Sequence, residues 1–196
     1  MLRTPSPPCL CIRMSCRAFS HDKNPGDPFV SYDISRQVPL ESLRSLKYET
    51  FFIEGPDYVQ LSRKIALDLG FLLTAENCKV VWDFTGTGNH TIFDDRSKVL
   101  PSKPRKYMAS LDFLIVVVSG THCVDIEDPI SGSWIRIERA PGTVQLVPAG
   151  SLGYFVPCVH KSIVFVKGAH SEYQLIDEDS IEPVLHGDYL RRISGL

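Results

Sequence analysis

Six histidines, six cysteines and one glycine pair are the residues of this 196-residue chain that could do chemistry. His21, His90, His122, His160, His170 and His186 occur singly, with no His-x-His pair anywhere. Residues two apart on a strand face the same side, and no two histidines here are so spaced. His122 and His160 are the candidates for a replacement site in the body of the protein, His160 approaching from a neighbouring strand. Two histidines without a placed carboxylate make a thin donor set, so a satisfied hydrogen bond is the expected role of each. His122 and Cys123 are adjacent and must face opposite sides of a strand. His90 with Asp94 and Asp95 could gather a surface ion, but solvated loop residues are expected there. Gly86-Thr-Gly88 lacks the Lys-Ser/Thr of a phosphate-binding loop and reads as a turn. Cys9, Cys11, Cys16, Cys78, Cys123 and Cys158 form neither a Cys-x-x-Cys pair nor a regular framework, which excludes zinc knuckles and a disulfide scaffold. Cys9 and Cys11 are expected to be incidental, and Cys123 and Cys158 to pack as small hydrophobes in strands. No residue is assigned a catalytic, cofactor-binding or metal-binding role.

The elements that would position these groups lie mainly between Ser110 and Lys167. Leu111 to Val118 is a valine-rich apolar run of strand length, broken by Gly120. Thr121 to Ile126 follows as a second strand, and Pro129, Gly132 and Ser133 form a hairpin loop. Trp134-Ile-Arg-Ile-Glu-Arg139 alternates with period two. Corners at Ala140-Pro-Gly142 and Pro148-Ala-Gly150 flank Val144-Gln-Leu-Val147, and Tyr154 to Val156 and Ser162 to Lys167 complete the series. Short strands punctuated by Gly and Pro about every ten residues describe an antiparallel sandwich or barrel. Upstream, Pro39 to Leu46 reads as a short helix with Leu40, Leu43 and Leu46 on one side. Tyr48 to Ile53 is β-like. Asp57 caps a second helix running to Leu69, with Leu61, Ile65 and Leu69 on one face and Gly70 as its stop. Lys98 to Lys106 reads as an exposed connection.

Gly120, Asp125, Trp134-Ile135-Arg136-Ile137, Gly142 and Leu146-Val-Pro-Ala-Gly150 with Phe155 resemble the core of the acireductone dioxygenase family, within the cupin superfamily. Pro25-Gly-Asp-Pro28, the segment Val38 to Leu46, Trp82-Asp83, Phe165-Val-Lys-Gly168 and Gly187-Asp-Tyr-Leu190 extend the likeness to about residues 25–196. The resemblance implies a mainly β fold, the cupin double-stranded β-helix or jelly-roll-like barrel, with a few short helices that are mostly N-terminal. It also implies one ferrous or nickel ion held by three histidines and a glutamate. Counted without gaps, those ligands fall on Tyr107, Ala109, Phe113 and Gly153, and the family's substrate-facing arginine falls on Ile115. By that count the chain is a degenerate member without the metal ligands, its pocket filled by a packed core.

Composition bounds the rest. At 22.0 kDa, 43% hydrophobic and 22% charged, the chain suits one globular domain. No window holds eighteen apolar residues, so no transmembrane segment is expected. Residues 1–20 hold Arg3, Arg13 and Arg17 and no acid, and Arg17-Ala-Phe-Ser20 resembles a presequence cleavage pattern. The division expected is therefore 1–20 as a mitochondrial transit peptide and 21–196 as an acireductone dioxygenase-like cupin domain. Removing the three arginines takes the formal net charge from −2 to −5, which disfavours direct nucleic-acid binding. Together these features lead to a non-catalytic structural or accessory subunit of a large mitochondrial assembly, an ATP synthase or respiratory complex before a mitoribosome. Its partners would be protein subunits of that complex, in the matrix or on the matrix side of the inner membrane, with peripheral membrane association through them and no cofactor. The alternatives are an acireductone dioxygenase of methionine salvage with a non-standard metal site, and a metal-free cupin that binds a small molecule.

Overall fold

A computed structural model describes residues 16–55, 57–74, 80–84, 105–158, 160–169, 175–177 and 183–195. Twelve strands are present among them: β1 (Cys16–His21), β2 (Gln37–Val38), β3 (Glu49–Phe52), β4 (Val80–Phe84), β5 (Arg105–Ala109), β6 (Phe113–Gly120), β7 (His122–Asp128), β8 (Ser133–Arg139), β9 (Thr143–Val147), β10 (Leu152–Phe155), β11 (His160–Val166) and β12 (Leu175–Asp177). Helix α1 spans Tyr58–Asp68 and α2 Pro183–Ser194, and short 3-10 turns cover Ile34–Arg36 and Leu40–Leu46. One sheet has seven strands in the order β12-β5-β10-β7-β8-β1-β2, and the other has five in the order β3-β9-β6-β11-β4. All pairings are antiparallel. This is the mainly β, cupin-type architecture expected from the sequence, as two facing sheets.

Strand alternation explains how the layers form. Phe113 and Ile115 of β6, with Val147, Val164 and Val166, face Ala18, Val124, Ile126, Ile135 and Ile137 of the other sheet in one buried cluster. The intervening Leu114 and Val116 point outward, where Ala66, Phe71 and the half-buried Tyr58, Ile65 and Leu69 cover them. β6 is therefore buried on both faces, which is why its sequence is a continuous apolar run instead of an alternating one.

The Asp57 carboxylate accepts the Gln60 N–H at 3.2 Å and caps α1, and Gly70 leaves the helix at φ 79°. The helix does not seat itself on Leu61, which is 41% exposed. Ser62 and Ala66 are the residues pressed inward, since small side chains let the helix approach the sheet closely. The segment from Leu40 to Leu46 is a 3-10 turn and not an α-helix, and left-handed Lys47 ends it at φ 62°.

Two elements were not foreseen. Helix α2 covers the outer side of β5, β10 and β12, with Leu185 packed against Met108, Leu152 and Ile176. The Pro148-Ala-Gly150 corner accommodates it: a Cβ on Gly150, at φ 79°, would lie 2.4 Å from the Leu185 carbonyl. The second is β1, which pairs with β8 from Cys16↔Arg139 to His21↔Trp134 and buries Cys16, Ala18 and Phe19. The boundary drawn at residue 20 thus runs through a strand of the sheet.

Candidate functional site

The positions that the resemblance assigns to metal ligands are occupied by packing. Tyr107, Ala109, Phe113 and Ile115 are at most 3% exposed and share the inter-sheet cluster. Gly153 lies directly opposite Tyr107 in the β10–β5 ladder. A Cβ on Gly153 would stand 2.8 Å from the Tyr107 ring, so the ring already fills the space a side chain there would need. Tyr107 also stacks on Phe155, with centroids 4.1 Å apart. Burial pushes its phenol up to about 12, which keeps the one donor atom of the four protonated. These residues do not fit a divalent ion. A double-mutant cycle checks the packing pair: Gly153→Ala is expected to cost about 1–3 kcal/mol in urea unfolding, and much less in a Tyr107→Ala background.

A polar group sits farther along the interior. Ile135, Ile137 and Arg139 share one face of β8, so alternation carries a guanidinium inward to 1% exposure. Arg139 Nε donates to Gln145 Oε1 at 2.7 Å and Nη2 donates to the same oxygen, while Gln145 Nε2 donates to Thr50 Oγ1 at 2.9 Å. Arg139 Nη1 lies 2.7 Å from His122 Nδ1. Arginine only donates, so His122 accepts there and keeps its proton on Nε2. Burial, then His160 and Arg139, hold the His122 imidazole well below its ordinary range, and it is neutral.

His122 and His160 do meet: their rings touch edge to face with centroids 4.5 Å apart. No third ion-holding His, Cys, Asp or Glu joins them among the described residues, and a fixed guanidinium beside the pair opposes a cation. Cys123 is partly exposed on the opposite side of β7, as alternation requires, whereas Cys158 lies in the β10–β11 connection and not in a strand. Both have polar neighbours, so the expectation of simple hydrophobic packing is corrected. Gly86, Gly88, Asn89, His90, Asp94, Asp95, His170, Cys9, Cys11 and Cys78 lie outside the described residues.

A second charged group, absent from the sequence reading as a site, occupies the outer face of the seven-stranded sheet. Asp125 is fully buried and takes Arg136 Nε at 2.7 Å on one oxygen and Arg136 Nη2 at 2.8 Å on the other. The Gly26 N–H adds a third bond at 2.6 Å, and His21 Nε2 stands 3.2 Å away. Arg136 also donates to the Asp27 and Val30 carbonyls at 2.7 and 3.1 Å. The pair therefore ties the Pro25-Gly-Asp-Pro28 loop to the sheet, which is a structural task.

No family model matches the chain. It is 27% identical over 134 residues to acireductone dioxygenase 1 of Coprinopsis cinerea, covering 68% of this chain and 71% of that protein. Its fold matches the structure of the acireductone dioxygenase from Bacillus anthracis with a cadmium ion in its active center, at a TM-score of 0.50 and 13% identity over 79% of this chain and 94% of the other. The resemblance to the acireductone dioxygenase family read in the sequence is thereby borne out. The expected role as a non-catalytic subunit of a mitochondrial assembly is corrected by the same likenesses. The sequence likeness is to an acireductone dioxygenase and the structural likeness shows the same fold; neither is to a subunit of an ATP synthase or respiratory complex.

Proposed function

We propose that this chain is an acireductone dioxygenase-type cupin that takes acireductone, an enediol of methionine salvage, as its substrate. The observation that carries the reading is the likeness to the Coprinopsis protein, which runs through more than two thirds of both chains. The shared two-sheet architecture supports it at the level of fold. Tyr107, Ala109, Phe113 and Gly153 take no part in the chemistry, since none of them fits the ion that the family's four ligands hold. A metal-free binding cavity gains no support from the interior, where Phe113 and Ile115 fill the space between the sheets.

Oxygen uptake tests the proposal. An enediolate reacts slowly with oxygen unaided, so purified full-length chain is compared with buffer, without metal and with added ferrous or nickel ion. Uptake several-fold above the buffer rate in at least one condition is expected. Uptake at the buffer rate in all of them, with no saturable acireductone binding under argon, overturns the reading. The proposal includes a mitochondrial address in the basic segment ahead of β1. A C-terminal fluorescent fusion should reach mitochondria and become diffuse once residues 1–15 are deleted.

A further inference from the structure

At the corner where β10 gives way to β11, two stretches distant in sequence bring two cysteines and a histidine together. Cys123 lies on β7, Cys158 in the connection, and His160 at the start of β11. Cys158 Sγ accepts the Cys123 backbone N–H at 3.2 Å and lies 3.5 Å from His160 Nδ1. It is also the hydrogen-bond partner of the Cys123 thiol. The Val156 N–H donates to the Cys123 carbonyl at 3.3 Å, so backbone as well as side chains clamps the connection against β7. Both thiols are free and partly exposed.

We propose that Cys123 and Cys158 form a peroxide-reactive dithiol, with Cys158 as the attacking sulfur, Cys123 as the resolving one, and His160 as the residue that positions Cys158. The proposal stands apart from the acireductone reading and does not depend on it. Donors converge on one sulfur only. The Cys123 thiol and then His160 hold the Cys158 thiol well below its ordinary range despite burial, while Cys123 is pushed up. Glu138, opposite Cys123 across the β7–β8 ladder, further opposes ionisation of Cys123, against a smaller pull from Arg136. Buried Cys16 is the contrast within the chain: desolvation pushes its thiol up to about 11.

The chemistry balances with a hydroperoxide as oxidant. The Cys158 thiolate attacks one peroxide oxygen, the O–O bond breaks, and an S–O bond forms to give a sulfenic acid. With hydrogen peroxide the leaving hydroxide takes a proton and departs as water. Cys123 then gives up its proton and attacks the Cys158 sulfur. The S–O bond breaks, the disulfide forms, and a second water leaves. Two thiols are oxidised by two electrons in all and one peroxide is reduced; a dithiol reductant reverses the change by exchange. The step is felt inside the fold, because Cys158 touches His160 and His160 touches His122.

Peptide mapping of the reduced full-length chain after one equivalent of hydrogen peroxide tests this. The expected product is a peptide pair linked through Cys123 and Cys158. In Cys123→Ser, dimedone should label Cys158 instead. His160→Gln should slow iodoacetamide alkylation of Cys158 at pH 7 by tenfold or more, with an unchanged circular dichroism spectrum. In the folded wild type, Cys158 should alkylate at least a hundredfold faster than Cys16. Both cysteines remaining reduced, a bridge to any other cysteine, or Cys158 reacting no faster than Cys16 overturns the proposal. An unchanged rate in the His160 variant removes that residue from it.

Discussion

A chain begun at His21 will not fold, whereas one begun at Ser15 keeps β1 whole and will fold and melt cooperatively. The short form lacks five of the six residues of β1 and with them that strand's ladders to β8 and β2. Burying Phe19 stabilises by about 1.5–3 kcal/mol, and each ladder hydrogen bond contributes about 0.5–1.5 kcal/mol. Together they reach about 5–10 kcal/mol, comparable with the whole stability of a domain. Removing β1 also leaves β8 paired on its β7 side alone, with an open edge that is a template for aggregation. Thermal unfolding followed by circular dichroism, with light scattering alongside, decides it. A soluble, cooperatively melting chain from His21 onward would show that the sheet does without β1.

Asp125→Ala will be the most damaging single substitution described here, costing about 3–5 kcal/mol because it leaves the Arg136 guanidinium buried and unpaired. At this chain length that lowers Tm by roughly 10 °C. It also frees Gly26, so limited proteolysis should cut the 22–36 segment first. Replacing both partners, Asp125→Leu with Arg136→Met, should recover much of the loss, since a well-packed apolar pair carries no desolvation penalty. The same group sets an acid limb. Burial alone would raise the Asp125 carboxyl, but hydrogen bonds from Arg136 and the Gly26 N–H, with His21 close beside it, outweigh it and the net shift is downward. Its contribution is therefore fully present above the ordinary carboxylate range, and is lost as pH falls through that range toward the lowered folded value. Urea midpoints between pH 7 and pH 3 should fall more steeply for the wild type than for the double replacement. Parallel profiles would remove Asp125 from the acid response.

The strands from Phe113 to Val166 were readable because glycine and proline mark the corners and because Trp134–Arg139 alternates. β1 was not. Cys-Arg-Ala-Phe-Ser-His has the basic, acid-free composition of a leader, and its arginine is answered by Glu138 across the ladder and by the Tyr32 ring. Helix α2 was hidden by Gly187 in its interior, a poor helix former that packing overrides. At the interior, the count that sets the resemblance's ligand positions on Tyr107, Phe113 and Gly153 could be made from the sequence, but the interlock of the Tyr107 ring with Gly153 is a cross-strand fact. Arg139 was legible by period: it follows Ile135 and Ile137 on one face, yet a charge is by default assigned to the surface. The contact of Cys158 with His160 is local, two residues along the chain, but its contact with Cys123 joins the corner to β7, and no local spacing encodes that.

The pairing of Cys16 with Arg139 also has a temporal side. A ribosome delivers β1 first and its β8 partner more than a hundred residues later. At about 5–20 residues per second the nascent strand waits on the order of ten seconds with Phe19 uncovered. During that interval β1 is open to whatever chaperone or translocation machinery meets it, and the sheet closes over it only near the end of synthesis.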